Sequence, residues 1–184
     1  GSAARSIPAG FVEWYRGAND NESFAASIAP PQHWNLVDCI AIVDENHKLT
    51  GSSEGHQLAR TSPIQAARVL DADRRLELCR MAIEDRDFNT LARIVELDSN
   101  LLHAVAMTSQ PIINYWLPVT LQIMQAVTTW RKNGIPCCFT VDAGPNVHII
   151  SDASASEIVA AKLQSINGVL NVRLCHPGGG THLE

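Results

Sequence analysis

The stretch that most constrains this chain is Pro136–Ile150, PCCFTVDAGPNVHII. Phe139, Val141, Val147, Ile149 and Ile150 are strand formers on either side of Asp142-Ala143-Gly144-Pro145-Asn146, a pattern that predicts two strands joined by a tight turn. Gly144 is free to take positive φ and Pro145 fixes its own, so the corner is closely specified. Asp142 falls at the end of the first strand. A carboxylate on such a corner is either a positioned base or a turn cap, and the residues alone leave both readings open.

Around this hairpin the pattern is that of an α+β domain. Leu36–Val43 reads as a buried strand, Val169–Leu174 as a last strand, and Ile64–Arg131 is helical in period almost throughout. Asp87 is placed to cap a helix carrying Leu91, Ile94, Val95, Leu102 and Val105 as an apolar stripe. On that helix Ser99 and His103 are four residues apart and share a face, while Asp98 reads as surface. Asn114–Trp130 is apolar nearly all round, and a further helix is expected over Ser151–Gln164, capped near Ser154 or Ser156. The strand order predicts helices packed on one face of a mainly antiparallel sheet. His33-Trp34 is given a packing role. Asn19–Pro31 and Lys48–Arg60 read as polar loops, and Thr61-Ser62-Pro63 as a helix start with Ser62 at the N-cap and Pro63 at N1.

At the amino end, Ser2-Ala3-Ala4-Arg5-Ser6 opens a helix expected to run to Trp14-Tyr15-Arg16, kinked or restarted at Pro8. Its amino terminus and Arg5 together would attract an anion, and the guanidinium fork suits a carboxylate or phosphate.

Composition narrows the function classes. A net charge of −5 over 184 residues argues against a general nucleic-acid binder, so any anionic ligand must be held by local cations. The five cysteines show no CxxC spacing, which reads as reduced cytosolic thiols rather than a zinc site or disulfide framework.

Four motifs in order carry a resemblance. TVDAGPNVHII resembles the TFDAGPN segment of diphosphomevalonate decarboxylases, members of the GHMP small-molecule kinase superfamily. GSAARS followed by GFVEW, the TSP at Thr61–Pro63, and the DSN-x-x-H at Asp98–His103 resemble the same family. Ala4, where a Cys is common, and Pro8 depart from its pattern. The resemblance implies a GHMP kinase-like carboxyl-terminal domain over residues 36–184, with residues 1–35 ending the amino-terminal domain and roughly half of the polypeptide preceding Gly1. Leu183-Glu184 reads as a vector scar.

The activity it implies is ATP- and Mg²⁺-dependent decarboxylation of a 5-phosphorylated mevalonate by a cytoplasmic homodimer, with no nucleic acid or membrane partner. Asp142 would be the catalytic base and Arg5 would hold the substrate carboxylate. Ser2, His56 and Gly144 would contact substrate, Ser2, Ala3 and Ser6 the nucleotide phosphates, and Ser99, Asn100 and His103 would support the site from behind. No protein metal ligand is expected. His56 stands where many diphosphate-using members have an arginine, and a loop would turn Arg60 elsewhere, so the reading leans to the monophosphate substrate. Alternatives are a 3-kinase that stops before decarboxylation, or a non-catalytic portion that needs the missing half.

Overall fold

The computed structural model describes residues 2–19, 21–46 and 51–181. In chain order the elements are α1 (Ser2–Arg5), β1 (Phe11–Tyr15), β2 (Phe24–Ala29), β3 (Leu36–Ile42), α2 (Ser52–Leu58), α3 (Gln65–Leu70), α4 (Ala72–Glu84), α5 (Phe88–Thr108), α6 (Pro118–Lys132), β4 (Cys137–Val141), β5 (Val147–Asp152), α7 (Ala153–Gln164) and β6 (Asn171–Cys175). A four-stranded antiparallel sheet runs β4-β5-β3-β6, and β1-β2 form a separate antiparallel pair.

Alternation along the strands builds the core. Val37, Cys39 and Ala41 of β3, Val147 and Ile149 of β5, and Cys137, Phe139 and Val141 of β4 turn to one face. There they meet Ile123 and Val127 of α6 and Val159 and Leu163 of α7. The expected α+β architecture, helices packed on an antiparallel sheet, is the observed one, with α6 and α7 over this face. The opposite parity at the Leu36 end joins Trp34, Leu36, Ala82 and Leu91 in a second cluster against α4 and α5, so Trp34 packs as expected. Asp87 caps α5 through the Asn89 and Thr90 N–H groups.

Several local expectations are corrected. The first helix stops at Arg5, and the restart after Pro8 is a strand, because Gly10 sits at φ 71 and a Cβ there would lie 2.3 Å from Ala29 O. Phe11–Tyr15 then runs extended and pairs with Phe24–Ala29, which makes a strand of a segment read as polar loop. Ala-rich β2 has little propensity of its own and owes its conformation to that partner. Ser52–Leu58 is helical rather than loop and continues as a 3₁₀ turn over Ala59–Thr61; residues 47–50 lie outside those described. Ser62 is buried against Thr108 (Oγ–Oγ1 2.6 Å) and α3 starts only at Gln65. Pro118 at N1 delays α6 from Asn114. β5 extends to Asp152, whose carboxylate, rather than Ser154 or Ser156, caps α7. The last strand begins two residues later than expected. Leu183-Glu184 falls outside the described residues.

All five cysteines are free thiols. Burial pushes Cys39 and Cys137 up to about 11, which keeps both protonated and unreactive at neutral pH. Among the described residues no helix is long and apolar enough to cross a membrane.

Ile149 is wholly buried at the centre of the sheet. Ile149→Ala is expected to lower the unfolding free energy by about 2–5 kcal/mol, measured by urea denaturation.

Candidate active site

β4 is an edge strand, and an edge leaves a row of N–H and C=O groups facing outward. Here that row is taken by side chains. Arg131 donates to Cys137 O (2.8 Å) and forms a bidentate pair with Glu96 (2.6 and 2.7 Å). Glu96 accepts from Phe139 N (3.3 Å). Ser99 Oγ accepts from Val141 N (2.9 Å) and its hydroxyl reaches Val141 O (3.3 Å). His103 donates from Nε2 to the same carbonyl (3.0 Å). Glu96, Ser99 and His103 lie on one face of α5 because they recur at three- and four-residue spacing.

The next residue after this clamp is Asp142. Its carbonyl accepts from Gly144 N (2.8 Å), which closes the corner. Gly144 is buried and is not among the positive-φ glycines, so the corner does not use the freedom expected of it. Instead Thr120 of α6 donates to Pro145 O (2.7 Å), and Asn146 Oδ1 accepts from Val43 N and Asp44 N (2.9 and 3.1 Å). Asn146 Nδ2 also donates to Asp44 O (3.1 Å). Asp142 itself is exposed. The result is a carboxylate presented to solvent on a corner held by α5, α6 and the end of β3.

His103 is 1% exposed, with Trp116 and Tyr115 rings 4.7 and 5.8 Å away centre to centre. Burial lowers its pKa below the ordinary value; the hydrogen bond to Val141 O and the charge of Asp142 act the other way. The neutral ring with its proton on Nε2 is the state that fits a carbonyl partner.

The other sequence candidates are spread more widely. His56 is an exposed residue of α2 and lines a cavity of about 220 Å³ with Arg68, Gln65, Tyr115 and Ala143, beside Asp142. Gln65 Oε1 and Arg68 Nε are buried without a hydrogen-bond partner among the described residues. Asn100 lines a different cavity, with Met124, Thr128 and Phe139. Asp98 is an ion-pair partner of Arg68 and Arg75 (3.2 and 2.9 Å) rather than a bare surface residue. Arg5 is exposed at the end of α1, with its Cζ 5.9 Å from the Trp14 ring centre. No hydrogen bond or ion pair joins Arg5 to Asp142 among the described residues. A single turn carries little dipole, so the attraction for anions expected of a long helix falls to Arg5 itself. The side chains of Ser2 and Ala3 lie outside those described. Ser6 is exposed. Sequence reasoning missed Glu96, Arg131, Thr120 and Asn146. Only Asn146 carried a signal, since Asn in a turn commonly bonds nearby backbone.

Comparison with known proteins gives the family of the chain. The family model described as mevalonate 5-diphosphate decarboxylase C-terminal domain matches residues 39–172. The chain belongs to that family. A diphosphomevalonate decarboxylase of Candida albicans is 35% identical over 99% of this chain and 50% of its own length. The Homo sapiens protein of the same name is 37% identical over 88% of this chain and 42% of its own. Among solved structures, MDDEF in complex with MVAPP, AMPPCP and magnesium superposes with a TM-score of 0.88 at 30% identity, covering 97% of this chain and 55% of that one. The chain thus spans about half the length of the curated relatives it matches.

The buried His103 generates a pH prediction. The native imidazole resists a proton that the unfolded chain accepts, so its contribution to stability is whole above the ordinary value of 6.5 and is lost as pH falls below it. In His103→Gln the amide can still donate to Val141 O but does not titrate. Urea denaturation is expected to show the wild type losing its advantage over His103→Gln as the pH is lowered through that window.

Proposed function

We propose that the full-length protein is an ATP-dependent diphosphomevalonate decarboxylase, acting as a cytoplasmic homodimer, and that this chain is its carboxyl-terminal portion. Residues 1–35 end the preceding domain and residues 36–184 form the carboxyl-terminal one. The separate β1-β2 pair supports that division, since its strands hydrogen-bond to each other and not to the four-stranded sheet. The observation that carries the reading is the exposed Asp142 on a corner whose preceding residue is gripped by Ser99 and His103, in a chain of this family.

A tertiary 3-hydroxyl is a poor leaving group and a hindered nucleophile. Its phosphorylation by ATP makes a leaving group, and carbon dioxide loss then quenches the positive charge left at C3 as an alkene. Asp142 takes the hydroxyl proton as phosphoryl transfer begins. Arg5 holds the substrate carboxylate in the orientation that carbon dioxide loss requires. Ser2, Ala3 and Ser6 contact nucleotide phosphates, and His56 and Gly144 line the substrate. Among the described residues no three His, Cys, Asp or Glu side chains cluster to hold a metal. Mg²⁺ would enter on the nucleotide phosphates, whose charge it would help to neutralise.

The substrate is read as the diphosphate. The relatives are named for it, and nothing in them supports the lean to the monophosphate. The lean also took this stretch for a loop, whereas Ser52–Leu58 is helical and Arg60 follows on a 3₁₀ turn.

Asp142→Asn in the full-length protein is expected to keep the fold, checked by thermal melting, and to lower turnover by about 10²–10⁴. Retention of more than about a tenth of the wild-type rate removes Asp142 as the base. In competition kinetics the diphosphate is expected to be preferred over the monophosphate by tenfold or more in kcat/KM, about 1.4 kcal/mol; the reverse preference restores the monophosphate reading.

A further inference from the structure

We propose that Trp14 is a positioning residue that holds the Arg5 guanidinium ready for the substrate carboxylate. The inference rests on the role given to Arg5 above. Arg5 ends a one-turn helix, and its long side chain has many rotamers to choose from. Among the described residues no carboxylate lies within ion-pair distance of it, and what it meets is the Trp14 ring, 5.9 Å from Cζ to centroid. An aromatic face attracts the cation yet takes none of its five N–H donors. A carboxylate in the same place would occupy the fork.

The indole is fixed in turn. Its Nε1 donates to Ser23 Oγ at 2.9 Å, across the hairpin in which Trp14 pairs with Ala25. A competing acid in the same cavity is disarmed. Glu13 is 6% exposed and lines the same cavity as Arg5, but Arg80 holds both its oxygens, at 2.9 and 2.8 Å. The backbone after Arg5 is braced by the glycine-rich carboxyl end, through Gly10 N to Gly178 O (2.9 Å) and Thr181 N to Ile7 O (3.0 Å). Arg5 is thus kept in place with its charge unspent.

The test is steady-state kinetics of the full-length protein with 5-diphosphomevalonate. Trp14→Leu is expected to raise KM for that substrate about threefold to tenfold, the size of a lost cation–π contact, with KM for ATP unchanged. Trp14→Phe restores most of the loss, because the aromatic face returns. Ser23→Ala keeps the ring but frees it, gives a smaller rise in the same KM, and decides the matter should Trp14→Leu fail to fold. In an Arg5→Gln background Trp14→Leu adds nothing, as coupling through Arg5 requires. An unchanged KM in Ser23→Ala and Trp14→Leu, or the same increment with and without Arg5, overturns the proposal. Wild-type kinetics in Arg5→Gln alone would instead remove Arg5 from the site, and the positioning role falls with it.

Discussion

The structure depends on how the free edge of β4 is satisfied. An open edge strand is a liability, and its unpaired groups are costly when shielded from water. α5 lies along that edge and answers it with Glu96, Ser99 and His103, while Arg131 from α6 completes the row. This is a polar seam inside an otherwise apolar core. It fixes the register of helix against strand in a way that apolar packing alone does not, because each bond has one partner at one distance. The last bonds in the row fall on Val141, so the strand is held most tightly at the residue before Asp142.

The same economy runs through the corner. The carboxylate proposed here as the base must be exposed to substrate, yet exposed side chains on turns move. Here the motion is limited from behind: Val141 by α5, Pro145 by Thr120, and Asn146 by the end of β3. Preorganisation of this kind lets a proton acceptor work without reorganising as charge develops. On the other side of the proposed chemistry Arg5 is held by an aromatic face rather than by a counter-charge.

What the sequence showed and what it hid divide along sequence separation. The Asp142 hairpin was legible because turn residues and strand formers act within a few positions of one another. That Ser99 and His103 share a face followed from helical spacing. That both meet Val141 did not follow, since the partners are 42 and 38 residues away. The strands Phe11–Tyr15 and Phe24–Ala29 were misread for the same reason: their conformation comes from each other, and Pro8 with Gly10 separates them from α1. Gly51 and Gly55 disguised α2, whose helical course changes the reading of His56 and Arg60. The charge of Arg5 could be read from the chain, but not its aromatic support.

Hydrogen exchange resolved to single amides, measured on the Phe139 and Val141 N–H groups, tests the seam most directly. Both face away from β5 and would exchange quickly on an uncovered edge. If α5 holds them as described, they exchange as slowly as the amides of β5, which has a strand on either side. Exchange at the rate of exposed backbone would contradict the clamp and leave the placement of Asp142 without its support.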